Sequence, residues 1–255
     1  MQLSIKKNFF LLHICNHLVA LLGIYFLYLE YNIWYVFFGI IIFLYAGIIG
    51  VNVSLHRYFA HRSFETTPFL ERILLFSTIL TSLGSPSMWS SIHNLHHENS
   101  DTDKDPHNPR KIGIIRTWLT LWDPVHIPNR IIAPYIDTKE KRFLHKNYFT
   151  ISFILILILV LIDIKLCAFL YSIPAIGCFH GAQTIGVLPH YFGYRRYNTN
   201  DESRNNWIAS IISLGEGWHN NHHRYPNRWY QGETWWEFDP PAFFIKNIFA
   251  TNISK

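Results

Sequence analysis

The sequence predicts an all-α integral membrane protein in which four transmembrane helices form two hairpins and a cytoplasmic helical cap carries clustered histidines. Hydrophobic residues make up 49% of the 255 positions and charged residues only 15%, which is too apolar for an ordinary soluble domain. Four long stretches lack charge, and histidine is concentrated in three short motifs. We expect one domain over residues 1–255, with the histidine motifs in the regions 56–146 and 190–255.

The first two spans are predicted at about residues 8–29 and 33–55. Neither stretch contains Asp, Glu, Lys or Arg. At a rise of about 1.5 Å per residue, each is long enough to cross a hydrocarbon core of roughly 30 Å. The segment Glu30-Tyr31-Asn32 is the turn between them, so these two spans form the first hairpin.

The second hairpin is predicted at about residues 147–162 and 166–189, with Asp163-Ile164-Lys165 as its turn. Pro174 and Pro189 should kink or end the fourth helix. Two hairpins return all three histidine motifs to one side of the membrane. Of the 22 Lys and Arg residues, only Lys165 falls at an outer turn, so the positive-inside rule places the motifs and both termini in the cytoplasm.

Two further segments connect the motifs. The apolar stretch Phe69 to Trp89 is interrupted near its end by Gly84-Ser85-Pro86, and we expect a helix that dips into the bilayer or lies along it and ends at the second motif. The chain is then polar from Asp101 to Lys146. The carboxylates of Asp101-Thr102-Asp103-Lys104-Asp105 are expected either to accept hydrogen bonds from ligand histidines or to form turns.

The three motifs read HRYFAH, HNLHH and HNNHH. They contain eight of the fifteen histidines: His56, His61, His93, His96, His97, His219, His222 and His223. Spacings of three and four residues place imidazoles on one helical face, which is typical of metal sites. In an HxxHH helix the first and last histidines can share one ion while the middle one leans toward another. The HxxxxH spacing separates its histidines by about 140° on a regular helix, so both reach one ion only at a helix end or a distortion.

The type of ligand limits which metals the histidines could bind. Imidazole suits iron, zinc and copper, and eight histidines are too many for one ion. The three cysteines lie apart in apolar stretches without CxxC spacing, which excludes an iron-sulfur cluster. Iron is the choice among these for activating dioxygen, and an unactivated methylene is the bond for which a membrane enzyme would need it.

The segments HRYFAHRSF, HNLHHENSDTDKDPHNP and GEGWHNNHHRYP resemble the three histidine boxes of the membrane fatty acid desaturases, in the branch of the stearoyl-CoA (delta-9) desaturases. The resemblance extends from about Gly50 to Asp239, where QGETWWEFD is similar to a C-terminal signature of that branch. Sterol desaturases and hydroxylases typically carry a shorter first box, so the resemblance is specific.

The resemblance implies two ligand sets. One iron would be bound by His56, His61, His93, His97 and His222, and the other by His96, His190, His219 and His223. His190 is the additional ligand, in a segment after the fourth span that resembles the family's. Where relatives place an Asn that approaches the second iron through a water, this chain has Gly186, so either another residue holds that water or the second site is looser. Ser90-Ser91-Ile92 replaces the Arg-Asp pair of animal acyl-CoA enzymes, which puts a CoA thioester in doubt.

The implied activity is an oxygen-dependent dehydrogenation that leaves a cis double bond in a saturated acyl chain, with two iron ions as cofactors and dioxygen as co-substrate. Trp89 is a candidate for the wall of the acyl-binding tunnel or, equally, for an interfacial aromatic. The expected partners are an acyl-CoA or acyl-lipid substrate, membrane lipid, and a separate electron donor such as ferredoxin or a b-type cytochrome with its reductase. No nucleic-acid partner is expected. A di-iron lipid hydroxylase and a non-catalytic membrane metal-binding protein are the alternatives.

Overall fold

The computed structural model describes residues 2–119 and 136–253, with side chains from residue 6 onward. Its α-helices in chain order are α1 Gln2–Leu29, α2 Ile33–Tyr45, α3 Pro68–Ser77, α4 Pro86–Asn99, α5 Pro109–Ile112, α6 Ile114–Trp118, α7 Lys139–Ile162, α8 Ile164–Cys167, α9 Ile173–Val187, α10 Trp207–Ile212, α11 His219–Arg224 and α12 Pro240–Phe244. Tighter and wider turns extend several of them: the π-helical segments Ala46–Ala60, Ala168–Ser172 and Ile245–Phe249, and the 3₁₀ segments Thr78–Thr81 and Leu188–His190.

Four helical stretches are long and apolar enough to span a membrane, as predicted. They are Lys6–Leu29, Ile33–Ala60, Lys139–Ile162 and Ile164–His190. Large apolar side chains on their outer faces, such as Leu18, Leu21 and Ile40, are exposed, as expected of helices whose surroundings are lipid. Two boundaries differ from the prediction. The second stretch runs through the first histidine motif to Ala60, and the third begins eight residues before Asn147 because a charged amphipathic turn extends it.

The turns that follow the first and third stretches lie beside each other. Lys165 Nζ donates to the Glu30 carboxylate at 2.6 Å, and the Tyr35 hydroxyl donates to Asp163 at 2.6 Å. Near this end, α1 packs closely on the fourth stretch, because a Cβ added at Gly23 would lie 2.1 Å from the Ala168 Cβ. The four stretches therefore form one bundle with a common end, opposite the histidines.

The segment predicted as one helix from Phe69 to Trp89 consists of two helices, so that prediction was wrong. The chain turns at Ser82 and Gly84, whose φ angles are 54° and 100°, and these left-handed conformations interrupt a helix. Ser85 then caps α4 by accepting from the Met88 amide, and Pro86 occupies the first turn, where its missing N–H costs nothing. The second histidine motif consequently lies inside α4 instead of after a membrane helix.

Within the described residues, the all-α prediction holds apart from one short antiparallel pair and two isolated bridges at Asn205. Strands β1 Phe64–Glu65 and β2 Asn252–Ile253 join the chain after the first histidine motif to the C-terminal segment. The predicted polar segment from Asp101 to Lys146 forms the short helices α5 and α6 and the start of α7, and its residues 120–135 lie outside the described part of the chain.

Candidate metal centre

The first histidine motif lies where a π-helical segment ends. The His61 amide donates to the His56 carbonyl at 3.1 Å, a five-residue hydrogen bond that widens the turn. This distortion puts the two imidazoles on the same side, with ring centroids 4.9 Å apart. The sequence predicted that an HxxxxH pair needs such a distortion, and the π-helical turn provides it.

The second and third motifs lie on α4 and on the short helix α11. In α4, the ring centroids of His93 and His97 are 4.6 Å apart, while His96 points to a different neighbourhood. In α11, His219 and His223 have centroids 4.2 Å apart, and His222 faces away from both. Each HxxHH helix thus divides its histidines two and one, as the spacing predicted.

The six-residue helix α11 is held in place by an asparagine network that sequence reasoning missed. The Asn205 side-chain oxygen accepts from the amides of Asn220 and Asn221 at 3.0 and 3.1 Å. The Asn220 side-chain oxygen in turn accepts from the amides of Arg196 and Tyr197 at 2.8 and 2.7 Å. Because isolated helices of this length are unstable, these buried contacts fix the third motif. In the sequence, this network was indicated by the two asparagines, Asn220 and Asn221, that separate the histidines of the third motif.

Five histidines form the first group: His56, His61, His93, His97 and His222, all with a ring nitrogen within 4.8 Å of every other. Their Nε2 atoms face one point. His56 and His222 approach to 3.0 Å, His61 and His93 to 2.8 Å, and His97 and His222 to 2.9 Å. Nitrogens this close together, drawn from all three motifs, form a ready-made set of ligands for one ion.

The second group consists of His96, His190 and His219, also within 4.8 Å of one another. The Nε2 atoms of His190 and His219 are 3.2 Å apart. His223 lies against this group, with its ring centroid 5.3 Å from that of His96. Its Nε2 is buried and has no hydrogen-bond partner in the described part of the chain, as expected of a nitrogen reserved for an ion.

Four of these histidines donate Nδ1–H to a carboxylate. The pairs are His56 with Glu216 at 2.5 Å, His96 with Asp105 at 2.8 Å, His190 with Asp101 at 3.1 Å and His223 with Asp201 at 2.7 Å. A carboxylate on Nδ1 orients the ring and leaves the Nε2 lone pair for a metal. Asp101 and Asp105 thus accept hydrogen bonds from histidines, as predicted for the carboxylates of residues 101–105. Asp103 instead forms an exposed ion pair with Lys111.

The electrostatics favour neutral imidazole in most of the cluster. Burial, with the charges of neighbouring histidines, holds the pKa of five rings well below the ordinary value: those of His61, His93, His97, His219 and His222. Burial also acts on His96, but the hydrogen bond and charge of Asp105 outweigh it and raise the pKa of that ring. Neutral rings keep the lone pair that a metal ion requires.

A buried ion network behind the first group was also not predicted. Arg57, whose side chain is 1% exposed, contacts Glu216 at 3.0 Å and Asp239 at 2.8 Å. Gln231 donates to the same Glu216 carboxylate at 2.7 Å. Despite the cost of burial, the partners Arg57 and His56 lower the pKa of Glu216 to about 2. The sequence signal was Arg57 itself, because an arginine near the end of an apolar stretch needs a carboxylate partner when it is buried.

An elongated cavity of about 120 Å³ adjoins both groups. It lies between the second and fourth stretches, and residues 212–214 also line it. Phe43 and Gly177 line its far end, and His56, His93 and His219 line the end near the metal ligands. Trp89 lines it too, and its ring stacks on that of His93 with the ring centroids 4.7 Å apart.

These features define an integral membrane protein with two adjoining polyhistidine groups suited to metal ions, beside an apolar cavity. The chain belongs to the fatty acid desaturase family: the family described as "Fatty acid desaturase" matches residues 31–238. It is therefore an oxidoreductase that acts on fatty acyl chains.

Several relatives cover most of the chain. It is 32% identical to the sn-1 stearoyl-lipid 9-desaturase of Anabaena variabilis, over 86% of this chain and 82% of the relative. It is 32% identical to delta-9 acyl-lipid desaturase 2 of Arabidopsis thaliana, over 85% and 72%. It is 28% identical to the acyl-CoA 5-desaturase AL21 of Anemone leveillei, over 79% and 64%.

Proposed function

We propose that this protein introduces a cis double bond at the delta-9 position of a saturated acyl chain, using dioxygen and two iron ions. The observation that carries the proposal is the meeting of the two histidine groups at one end of an apolar cavity. A cavity lined by Phe43, Val51 and Trp89 accepts a hydrocarbon chain, and the histidines at its end mark where oxidation occurs. The whole chain acts as a single desaturase domain.

The two histidine groups supply the ligands. The first ion would be held by His56, His61, His93, His97 and His222, and the second by His96, His190, His219 and His223. All of the donors are imidazole nitrogens, a set that suits iron and lacks the sulfur of an iron-sulfur site. The orphaned Nε2 of His223 and the inward-facing Nε2 atoms elsewhere support the fit. When bound, the ions supply the oxidising chemistry that removes two hydrogens from neighbouring methylenes.

The protein's own residues orient the imidazole rings and position the acyl chain. The carboxylates of Asp101, Asp105, Asp201 and Glu216 hold the Nδ1 side of four rings and so fix the direction of the opposite nitrogens. Burial of the cluster excludes bulk water, which would otherwise quench a strong oxidant. The cavity beside Trp89 holds the chain against the histidines, so the contact point along the tunnel decides which carbons react.

The membrane topology completes the proposal. The four stretches cross the bilayer as two hairpins, with the paired turns at Glu30 and Lys165 on the outer side and the histidine cap and both termini in the cytoplasm. The predominance of Lys and Arg on the histidine side supports this orientation. Electrons come from a separate protein, either a ferredoxin or a b-type cytochrome with its reductase. If that donor is acidic, the basic face of this protein would attract it.

The acyl carrier is a membrane lipid. Two relatives at 32% identity are named for stearoyl-lipid or acyl-lipid substrates. The segment Ser90-Ser91-Ile92 offers no basic side chain at the position where animal acyl-CoA enzymes have one. A lipid-linked chain would reach a cavity between two membrane-spanning stretches from the bilayer itself.

The test is a fatty-acid profile by gas chromatography and mass spectrometry in a host without its own desaturase. We expect a new cis-monounsaturated acid with the double bond at carbon nine, recovered from the lipid fraction and not from acyl-CoA. His222→Ala, which removes a member of the first group, is the matched control and should yield none. Hydroxylated lipid in place of the olefin would overturn the proposal in favour of a hydroxylase.

A further inference from the structure

The short helix α10, which precedes the third histidine motif, has its apolar side chains on the outside. Residues 205–214 contain no Asp, Glu, Lys or Arg. The small residues Ala209 and Ser210 are buried, whereas the four large apolar residues of the helix are 43–63% exposed: Trp207, Ile208, Ile211 and Ile212. A helix in water has the opposite pattern. An uncharged run of this length is typical of either a core helix or an interfacial segment, and its exposure excludes the core.

Two exposed aromatic residues extend the apolar side of α10. Asn206 Nδ2 donates to the Phe192 carbonyl at 3.1 Å, and the Ser210 hydroxyl donates to the Phe238 carbonyl at 3.4 Å. Phe192 and Phe238 therefore lie beside the helix, and both are exposed. A group of adjoining exposed apolar residues marks a surface that contacts protein or membrane. We call this group the α10 face: Phe192, Trp207, Ile208, Ile211, Ile212 and Phe238.

Contacts with the membrane-spanning stretches give the depth at which α10 ends. A Cβ added at Gly47 would lie 2.6 Å from Leu214 Cδ1, and one added at Gly181 would lie 3.4 Å from the Ile212 carbonyl oxygen. Gly47 is 14 residues beyond the start of the second stretch, and Gly181 is 17 residues beyond the start of the fourth. At about 1.5 Å per residue, they lie roughly 21 and 25 Å from the outer end. In a hydrocarbon core of about 30 Å, the end of α10 is thus roughly 5–9 Å inside the cytoplasmic boundary.

The backbone at the end of α10 has the hydrogen bonds that this depth requires. The Asn52 side-chain amide donates to the carbonyls of Ser213 and Leu214 at 2.8 and 3.2 Å. The Gly215 amide donates to the Ser210 carbonyl at 2.8 Å. Irregular backbone is tolerated at membrane depth only where its polar groups are paired inside the protein. Asn52, in an otherwise apolar part of the second stretch, provides that pairing for the turn.

We infer that the α10 face is a membrane-docking surface that lies among the acyl chains of the cytoplasmic leaflet. Lipid is the occupant because the face adjoins the second and fourth stretches at a depth where their own outer residues contact lipid. Residues 212–214 also line the cavity, so the segment 207–214 is a wall with lipid on one side and the cavity on the other. This inference rests on the proposed function, from which it takes the transmembrane arrangement of the four stretches.

The test measures the depth of nitroxide labels on the full-length protein in phosphatidylcholine vesicles. The labels are attached in Ile208→Cys and Ile211→Cys, after Cys15, the native cysteine that is not buried, is replaced by Ser. Ile40→Cys, on the exposed side of the second stretch, is the reference for lipid, and Asp103→Cys, at an exposed carboxylate, is the reference for water. Power saturation of the electron paramagnetic resonance signal is recorded with dioxygen, which concentrates in hydrocarbon, and with a water-soluble nickel chelate.

The labels at positions 208 and 211 should respond mainly to dioxygen, as at position 40, and should lie roughly 5–10 Å inside the hydrocarbon boundary. A response mainly to the nickel chelate, as at position 103, would place the α10 face in water and overturn the inference. Access for neither reagent would also overturn it, because the face would then be covered by protein, such as a second copy of this chain.

The reference label at position 40 separates failure of the inference from failure of the proposed function. If that label is not in lipid, the proposed transmembrane arrangement fails, and the inference with it. If that label is in lipid and the protein makes the olefin, but the labels at positions 208 and 211 are in water, only the inference fails.

Discussion

Replacing Arg57 with methionine tests whether the buried ion network holds the first histidine group. The variant leaves the carboxylates of Glu216 and Asp239, each 7% exposed, without their shared cation. Breaking a buried ion pair by removing one partner costs about 3–5 kcal/mol. Both carboxylates keep other donors, Gln231 to each and His56 to Glu216, so we expect the lower end, about 3 kcal/mol. At about 2–4 °C per kcal/mol, the thermal midpoint should fall by about 6–12 °C.

The assay is thermal unfolding of the metal-free protein in detergent, which separates the ion network from metal binding. Arg72→Met is the matched control. Arg72 is 59% exposed and lies 3.9 Å from Glu140, and exposed pairs contribute about 0–1 kcal/mol. If Arg57→Met loses no more stability than Arg72→Met, the reasoning about the network is wrong.

The same variant carries a pH signature. The pKa of Glu216 is lowered to about 2 in the folded protein, so this group stabilises the fold above its ordinary pKa and the stability is lost as the pH falls toward 2. Arg57 is one cause of that lowering. The loss of unfolding free energy in Arg57→Met, relative to the wild type, should therefore become smaller as the pH falls, because the unpaired Glu216 carboxylate is protonated more readily. A deficit in stability that does not change between pH 5 and pH 3 would indicate lost packing instead of a lost charge.

Three further predictions follow from the site. Asp201→Asn should weaken binding of the second ion about 10–100-fold in a chelator competition, whereas Asp103→Asn, at an exposed carboxylate, should leave it unchanged. Gly177→Val should shift the product toward shorter acyl chains in the fatty-acid profile, because its Cβ would lie 2.5 Å from the Phe43 ring; an unchanged chain-length ratio would contradict the placement of the tunnel end. The metal-free protein should lose stability as the pH falls below about 6.5, by about 1.4 kcal/mol per pH unit for each histidine whose pKa is lowered, because the unfolded chain then binds more protons. A thermal midpoint constant from pH 7.5 to 5.5 would contradict this last expectation.

Local patterns in the sequence predicted much of this fold. Apolar length gave the four spans, and the HxxHH spacing gave the two-and-one division of α4 and α11, because both properties depend on residues within one or two helical turns. The HxxxxH motif even indicated a distorted helix, which is the π-helical turn at His56.

The features that sequence reasoning missed depend on contacts between distant residues. Arg57 meets Glu216 across 159 positions, and no periodicity in either segment indicates the pair. The break at Ser82 was missed for a different reason. A left-handed serine is uncommon, so an apolar stretch containing it looks like a continuous helix.

The carboxylates explain how histidines from distant parts of the chain come to face two common points. Each HxxHH helix fixes only the relative directions of its own rings, and rotation of α11 by one residue would send His222 and His223 to the wrong groups. Asp201 and Glu216, which both precede the third motif in the chain, bind His223 and His56 and so tie that motif to both groups. Since Arg57 and Gln231 in turn hold Glu216, the C-terminal segment around QGETWWEFD supports the first histidine group although it contains no histidine. Substitutions there should therefore affect the first ion before they affect the cavity.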